Sequence, residues 1–548
     1  MRVNWKLGWV RTRHGTVAAL VALGAYLSGG WEAQAAANPP ARHARRGFVF
    51  PSIDVSVRDR AVLLAIDDVA LPMRKNVCYY MVKPTVRPEP VLIPSRNSLL
   101  APDFTATHFY GTVLRDGGHF RMWYYSISPA EKPGDLLEGP ICYAESADGL
   151  RWIKPRLGQV EFKGSRDNNA LALPGRLTEA ALVVKDVGDP DPARRYKMAY
   201  QEIQPHGRFY SLRTATSPDG LRWTAGPVSP IDEGLEPCAF YMFAGRYIVN
   251  AHFAPYGVSE GGFQAGRQGH AWFSLDFKRW LPESAASFAL PEPADGKQRG
   301  LDKPYDQVHL GTAAFSYGNA MVGLYCVWHA RPKSGDWFGE ETTSGDFRLV
   351  ISHDGLRFHE PVNGYTFLAG TNSPATPVPG KSLPTILCQA NGILNVGDET
   401  WIYHGRWRNG VVEGGDYYAE VGLATLPRDR WGALGLFPAK LEGTVWTFPV
   451  RLPADGCEVR VNAEGASGIS VEIADENFEC LPAFSGVNEG KPAAPGGLEV
   501  PVRWAGHSLS KLGAKTVRFR IHLRGSEKTT PRLFAMYLGS TRGNEKVE

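Results

Sequence analysis

Apolar and polar residues alternate in short runs along most of the chain, and the runs come in pairs separated by turn formers. Gly111–Ser126 reads GTVLRDGGHFRMWYYS: an apolar run, a turn of Asp and Gly, and a second run rich in aromatic residues. Paired runs of this kind are typical of β-hairpins. Four further segments follow the same order: Ala180–Gln201, Cys238–Phe253, Gly311–His329 and Asn391–Trp407. The pattern therefore predicts five hairpins in series.

A turn motif of the form S/T-x-D-x-x-x-W/F follows each predicted hairpin. It occurs as SADGLRW at Ser146–Trp152, SPDGLRW at Ser217–Trp223, SLDFKRW at Ser274–Trp280 and SHDGLRF at Ser352–Phe358, with a degenerate TLPRDRW at Thr425–Trp431. The Ser and Asp side chains bond backbone amides of a tight turn, and the Trp fills space beside the next unit. We therefore expect the motif to be structural and to mark one repeat unit per copy.

Five such units closed in a ring form a five-bladed β-propeller, which we assign to residues 86–438. The segments lack a 3.6-residue apolar period, which excludes an α-helical solenoid. From residue 439 to 548 the alternating strands lose the repeat and predict a β-sandwich. The predicted fold class is therefore all-β, a five-bladed β-propeller followed by a β-sandwich domain, with residues 36–85 as an N-terminal extension.

The N-terminus has the pattern of a secretory signal peptide. A basic stretch is followed by the apolar run Thr16–Leu27 and by AQAA, which places small residues at Ala33 and Ala35. The apolar run is shorter than the ~20 residues that cross a membrane. We expect residues 1–35 to be removed, a periplasmic or secreted location, and no stable membrane insertion of the mature chain.

Composition adds limits on partners. Gly (60) and Pro (41) supply turns, and aromatic residues make up 11% of the chain. The net charge of +4 comes from interspersed charges of both signs, which argues against a nucleic-acid partner. The 7 cysteines have no close metal-type spacing, which argues against a zinc site. We expect Cys457 and Cys480 to form a disulfide.

A propeller with S-x-D-x-x-x-W turns and a C-terminal sandwich resembles the superfamily of invertases, arabinanases and mannoside phosphorylases. Sialidases are less similar, because they have six blades and a longer spacing inside the turn. The resemblance implies an oligo- or polysaccharide substrate, no cofactor, and an active site in a funnel at the propeller axis. It also implies three carboxylates there, one from each of the first three blades. In glycoside hydrolysis one carboxylic acid protonates the leaving oxygen, and a carboxylate attacks or activates water.

Carried onto this sequence, the resemblance selects residues at the starts of the inner strands. Glu236 in LEPCAFYMF is similar to the general acid of a Glu-Cys-Pro segment, although the order here is Glu-Pro-Cys. Glu179 in RLTEAALVVKD stands where the family carries the Asp of Arg-Asp-Pro. In blade 1 the expected Asp position holds His108, and the nearest carboxylate is Asp103. Either Asp103 reaches the funnel, His108 has taken a role there, or the hydrolytic set is incomplete.

The starts of the inner strands of blades 4 and 5 are also polar. DKPYDQVHLG offers Asp306 as a substitute catalytic carboxylate. The candidate substrate-binding residues, besides His108, are Tyr305, His309, Gln389, Asn391, His329 and Arg406.

Three functions are open from these residues. The first is an exported glycoside hydrolase that uses Glu236, Glu179, Asp306 and Asp103. The second is a propeller that binds carbohydrate without cleaving it. The third is a metal-assisted glycan-cleaving enzyme, in which His108 and His309 surround a cation at the axis.

Overall fold

The computed structural model of the protein describes residues 48–540, except 51–54, 58, 131–135, 174–177, 204–209, 228–230, 232–234, 254–266, 289, 291–305, 330–342 and 411–415. In these ranges the regular elements are β-strands and short 3-10 helices, which confirms the predicted all-β class. No helix in the described ranges is long and apolar enough to cross a membrane. The predicted signal peptide and Tyr305 lie outside the described residues.

The N-terminal strands pair with strands from much later in the chain. They are β1 (Phe48–Phe50), β2 (Val55–Val57), β3 (Arg60–Leu64), β4 (Met73–Lys75), β5 (Val77–Met81) and β6 (Thr85–Val86). β6 pairs with the strand Tyr418–Pro427, and the partners of β1, β3, β4 and β5 lie between residues 432 and 540. The segment predicted as an extension is therefore built into the sheets of the C-terminal region.

Five antiparallel units follow, and we call them blades 1 to 5. Blade 1 contains β7 (Ala106–Asp116), β8 (His119–Pro129) and β9 (Leu136–Ser146); blade 2 contains β10 (Thr178–Lys185), β11 (Tyr196–Ile203), β12 (Tyr210–Ser217) and β13 (Thr224–Ala225). Blade 3 contains β14 (Leu235–Phe243), β15 (Arg246–Phe253), β16 (Gln268–Ser274) and β17 (Ala285–Phe288); blade 4 contains β18 (Gln307–Ser316), β19 (Met321–His329), β20 (Ser344–Ser352) and β21 (Thr366–Leu368). Blade 5 contains β22 (Ile386–Cys388), β23 (Ile393–Val396), β24 (Glu399–Arg408) and β25 (Tyr418–Pro427), and β6 adds to its edge.

The first strands of consecutive blades are neighbours in space. β7 contacts β10, β10 contacts β14, β14 contacts β18, and β18 contacts β23. β23 in turn contacts β7, and a parallel bridge joins Thr112 of blade 1 to Asn391 of blade 5. The described blades therefore form a closed cycle with the first strands at its centre.

The Ser-x-Asp turns have the geometry of the predicted structural turn. Asp148 accepts hydrogen bonds from the amides of Leu150 and Arg151, both at 2.8 Å. Asp219, Asp276 and Asp354 make the same pair of bonds in their own turns. The carbonyl of Gly149 also accepts the hydroxyl of Tyr403 from blade 5, at 2.7 Å. These turns therefore join neighbouring blades.

The first strands of blades 1 to 4 share a β-bulge at the same point. The register of each shifts, between His108 and Thr112, Glu179 and Leu182, Pro237 and Ala239, and His309 and Thr312. In blade 4 the bulge contains Leu310 (φ 64°) and Gly311 (φ 90°). A Cβ on Gly311 would lie 2.7 Å from the carbonyl group of Ala251, so no side chain fits. Bulges re-aim nearby side chains, here at the centre of the cycle.

Two seven-stranded sheets follow the blades and share one hydrophobic core. Their C-terminal strands are β26 (Gly432–Leu436), β27 (Glu442–Trp446), β28 (Val450–Arg451), β29 (Cys457–Glu464), β30 (Ile469–Asp475), β31 (Lys491–Pro492), β32 (Gly497–Arg503), β33 (Thr516–Arg524) and β34 (Arg532–Ser540). One sheet has the order β2-β1-β28-β33-β27-β4, with β30 on β33; the other has the order β31-β32-β29-β34-β26-β5, with β3 on β34. The 3-10 helices are Pro192–Arg194, Gly370–Asn372, Ala466–Gly468, Pro482–Phe484, Gly486–Asn488 and Leu509–Leu512.

Asp429 joins blades 4 and 5 to these sheets. Its Oδ1 accepts from the Tyr317 hydroxyl and from Asn395 Nδ2, and its Oδ2 accepts from the Tyr537 hydroxyl of β34, each at 2.8 Å. The residue is only 2% exposed. A buried carboxylate with three donors of this kind stabilises the junction, because it satisfies three polar groups at once.

The predicted disulfide between Cys457 and Cys480 is wrong, since both thiols are free. Cys457 is buried at the start of β29, where it pairs with Ser540 of β34. Cys480 is exposed and lies opposite Ala474 of β30, which belongs to the other sheet.

Candidate active site

Carboxylate, histidine and aromatic side chains from all five blades meet where the first strands converge. We call this group the central cluster; its members are His108, Tyr110, Tyr125, Glu179, Glu236, His252, Arg267, His309, Trp328, Trp407 and Tyr417. The ring of Tyr110 lies 5.2 Å from that of His108 and 6.4 Å from that of His309. The ring of His309 lies 6.0 Å from that of Trp407 and 6.4 Å from that of His252. The predicted residues His108 and His309 are thus brought together, and Glu236 adjoins them through His252, whose Nε2 is 3.4 Å from Glu236 Oε2.

Two carboxylates belong to the central cluster. Glu236, in β14, has 21% of its side chain exposed, and Glu179, in β10, is buried. Burial raises the pKa of the Tyr110 phenol well above its ordinary value, and the charges of Glu236 and Glu179 add to this. Tyr110 therefore lies within electrostatic range of both carboxylates.

His252, at the end of β15, lies beside Glu236. Its Nε2 is 3.4 Å from Glu236 Oε2, and its Nδ1 accepts the amide N–H of Leu310 at 3.1 Å. Burial lowers the pKa of His252 well below its ordinary value, and the charge of Arg267 adds to this. The ring is therefore neutral, and acceptance at Nδ1 places its proton on Nε2. His252 thus presents an N–H group to the carboxylate.

His108 and His309 are neutral for the same reason. Burial lowers the pKa of His108 to about 3, and its Nε2 lies 2.9 Å from the hydroxyl of Tyr417. Burial, followed by the charge of Arg267, lowers the pKa of His309 well below its ordinary value. The Nδ1 of His309 is buried and has no hydrogen-bond partner among the described residues. The three histidines of the central cluster are therefore uncharged at neutral pH.

Asp103 is placed away from the central cluster. It is buried, accepts from the Tyr124 hydroxyl at 2.9 Å, and forms an ion pair with Lys154. Tyr124 packs in a hydrophobic cluster that also contains Phe109 and Tyr403, between blades 1 and 5. In blade 1 the residue that the structure brings to the centre is therefore His108.

Asp306 belongs to a second group of charges in blade 4, which we call the blade 4 triad: Asp306, His329 and Asp346. His329 Nδ1 is 2.8 Å from Asp306 Oδ1, and Nε2 is 3.3 Å from Asp346 Oδ2. The hydrogen bonds to Asp306 and Asp346 raise the pKa of His329 to about 9. His329 is therefore a cation at neutral pH, and the Asp306 side chain remains 39% exposed.

The amides of Gln389 and Asn391 bond the backbones of other blades. Gln389 Nε2 donates to the carbonyls of His309 and Gly311, both at 2.6 Å. Asn391 Oδ1 accepts the N–H of Phe240 at 3.1 Å, and its Nδ2 donates to the carbonyl of the same residue at 2.6 Å. These hydrogen bonds join blade 5 to blades 4 and 3. They stabilise the strands that carry the central cluster.

Arg406 is buried and also bonds the protein itself. Its guanidinium lies 3.7 Å from the buried Glu420 and donates to the carbonyl of Pro88 at 2.8 Å. Its neighbour Trp407 is the residue of β24 whose ring meets His309. Adjacent residues of a strand point to opposite faces. The prediction of Arg406 was therefore displaced by one residue from Trp407, the side chain that points toward the central cluster.

The sequence reasoning missed the second-strand members of the central cluster. Tyr125, His252, Trp328 and Trp407 lie at or near the ends of β8, β15, β19 and β24. The Trp328 ring is 4.5 Å from that of His309, while its neighbour His329 points into the blade 4 triad. The sequence does show an aromatic or histidine residue near the end of each second strand. It does not show whether that side chain points toward the central cluster, because this depends on the strand register.

The arrangement fits chemistry on a neutral or polar ligand that carries oxygen atoms. Two carboxylates supply acid and base groups, and the aromatic rings supply apolar faces around them. Among the described residues, no group of three or more His, Cys, Asp or Glu side chains is arranged to hold a metal ion.

Solved structures to which the chain is similar include those of glycosidases and a mannobiose phosphorylase. They include a glycosyl hydrolase from Bacteroides ovatus, with 15% identity, a TM-score of 0.40, and coverage of 64% of this chain and 95% of that one. A family 43 arabinoxylan arabinofuranohydrolase from Bacillus subtilis has 11% identity, a TM-score of 0.37, and coverage of 80% and 96%. The β-1,2-mannobiose phosphorylase from Listeria innocua has 11% identity, a TM-score of 0.37, and coverage of 64% and 97%.

No protein-family model matches the chain. Uncharacterized proteins from two strains of Mycobacterium tuberculosis are 35% identical to it over 114 residues. That match covers 21% of this chain and 32% of each relative. The chain therefore spans about a third of the length of the curated relatives it matches.

Proposed function

We propose that the protein is an exported glycoside hydrolase that cleaves an O-glycosidic bond of an oligo- or polysaccharide in the central cluster. The observation that carries the proposal is the position of Glu236 and Glu179 around Tyr110, with aromatic and neutral imidazole rings beside them. Glycoside hydrolysis requires one carboxylic acid and one carboxylate on a shared substrate. We assign these two roles to the two glutamates of the central cluster.

The two groups are assigned different roles. Glu236 is the general acid that protonates the leaving oxygen, because its Glu-Pro-Cys segment is similar to the Glu-Cys-Pro segment that carries the general acid in the family the sequence resembles. Glu179 is buried at the bulge of β10, and it is the carboxylate that attacks the anomeric carbon or activates water. His108 is neutral and occupies the blade 1 position, so the proposed chemistry uses two carboxylates of the central cluster. Trp328 and Trp407 offer apolar faces to the C–H groups of a sugar ring.

The test is the release of reducing sugar from a panel of neutral and acidic polysaccharides. Glu236→Gln and Glu179→Gln should each lower kcat by roughly 10³-fold or more, because each removes one group of the pair. Glu161→Gln is the matched control, since Glu161 is exposed and 3.7 Å from the exposed Arg166. Coincident urea unfolding curves would show that the variants fold. Wild-type activity in both cluster variants would overturn the proposal.

One observation favours a second function, a propeller that binds glycans without cleaving them: the first blade brings His108 rather than a carboxylate to the centre. Calorimetry on the same panel separates the two functions. Binding by the wild-type protein without sugar release would support the second function, whereas binding with release supports hydrolysis. Activity that EDTA abolishes and a divalent cation restores would instead support the metal-assisted alternative.

A further inference from the structure

We propose that His252 is a positioning residue for Glu236, whose Nε2–H group fixes the carboxyl group so that its acidic proton lies on Oε1. The proposal rests on the proposed role of Glu236 as general acid. It adds a function for a blade 3 histidine and for the blade 4 bulge that holds it.

The imidazole of His252 is held in place from blade 4. Leu310 donates its N–H to Nδ1 at 3.1 Å, and it does so from the left-handed conformation, with φ of 64°. Gly311 follows in the same bulge, where no Cβ fits against Ala251. The backbone of one blade thus fixes both the orientation and the tautomer of a side chain on the next blade.

On its other side, His252 meets the carboxyl group. Nε2 lies 3.4 Å from Glu236 Oε2, and because it already carries a proton it can only donate. A proton on the carboxyl group is therefore directed to Oε1. A contact of this length is long for a hydrogen bond, but catalytic contacts often tighten when substrate is bound. After proton transfer the same N–H stabilises the carboxylate that remains.

Other ionisable groups surround the pair. Arg267, His309 and His270 act on His252, and the charge of Glu236 in turn contributes to the raised pKa values of Cys238, Cys388 and Tyr110. Arg267 and His309 both favour the neutral imidazole. His252 therefore serves as a fixed dipole across the working pH range and does not compete with Glu236 for the proton.

Two substitutions separate the two contacts of His252. His252→Asn retains an acceptor for the Leu310 amide but is too short to reach Glu236. His252→Gln carries an amide N–H close to the place of Nε2. We expect His252→Asn to lower kcat roughly 10- to 100-fold, with KM within about 2-fold, and to move the alkaline limb of the kcat/KM profile up by roughly half a pH unit or more. The limb moves up because the carboxylate form has lost its donor. His252→Gln should restore kcat to within roughly 3-fold of wild type.

The control is His359→Gln, because the His359 side chain is exposed, lies 3.0 Å from that of Asp68, and is outside the central cluster. It should leave both kcat and the pH profile unchanged. A wild-type profile in His252→Asn, or a His252→Gln variant as impaired as His252→Asn with an unmoved limb, would overturn the inference. If Glu236→Gln is inactive while His252→Asn is normal, only this inference fails; if Glu236→Gln is active, the proposed function fails.

Discussion

Replacing His329 with Gln should destabilise the folded protein at pH 6 and leave its stability almost unchanged at pH 10. In the blade 4 triad the imidazolium bonds two carboxylates, which raise its pKa from 6.5 to about 9. A group whose pKa is higher in the folded than in the unfolded chain stabilises the fold fully below the unfolded value. That contribution is lost as the pH rises through the folded value, here between about 6.5 and 9.

The magnitude follows from the same pKa. At about 1.4 kcal/mol per pH unit, a rise in pKa from 6.5 to about 9 corresponds to at most about 3.5 kcal/mol. The carboxylates are 39% and 24% exposed, and solvent screening reduces the contribution. We therefore expect His329→Gln to lower the free energy of unfolding by about 1 to 2 kcal/mol at pH 6 and by a few tenths at about pH 10.

The assay is urea unfolding of the wild type and the variant at a series of pH values. His359→Gln is the matched control, because His359 also lies 3.0 Å from a carboxylate, that of Asp68, but both side chains are largely exposed. It should change the free energy of unfolding by less than about 0.5 kcal/mol throughout. A difference between wild type and His329→Gln that is constant with pH, or that grows as the pH rises, would refute the reasoning.

Two further predictions concern the buried contacts that join the blades to each other and to the C-terminal sheets. Asp429→Ala should lower the free energy of unfolding by about 2 to 4 kcal/mol in urea, because three donors, two partly buried and one fully buried, lose their acceptor. A change below about 0.5 kcal/mol would show that the junction does not depend on this carboxylate. Tyr403→Phe should cost about 1 kcal/mol in the same assay, because it removes only the hydroxyl that bonds the Gly149 carbonyl of the blade 1 turn. An unchanged unfolding midpoint would contradict the role of that bond in holding blades 1 and 5 together.

The all-β class and the role of the Ser-x-Asp turns were predictable, because both depend on residues close together in sequence. Asp148 bonds amides two and three residues away, so the motif contains its own explanation. Glu179 and Glu236 could be selected as candidates, since a polar residue at the start of an apolar inner strand is visible in the sequence, and their catalytic roles stay predictions. Local sequence patterns do not give the strand register. For this reason Arg406 was predicted as a site residue, although its neighbour Trp407 is the residue that faces the central cluster.

Longer-range contacts account for the other differences. Asp103 reads as a free carboxylate near blade 1, but its partner Lys154 comes 51 residues later. The N-terminal strands pair with strands that follow them by hundreds of residues, which no local pattern indicates. His252 was missed because its importance depends on a bulge in the neighbouring blade, at Leu310.

The central claim is that Glu236 and Glu179 act on one glycosidic bond within the central cluster. The most direct measurement is a crystal structure of the Glu236→Gln variant with an intact oligosaccharide that the wild type cleaves. The account predicts the scissile oxygen within about 3 Å of the residue 236 amide. It also predicts Glu179 on the side of the anomeric carbon, with a carboxylate separation of about 5 Å for a retaining enzyme or about 6.5 to 9.5 Å for an inverting one. An oligosaccharide bound with its scissile bond at the blade 4 triad, or elsewhere outside the central cluster, would contradict the account.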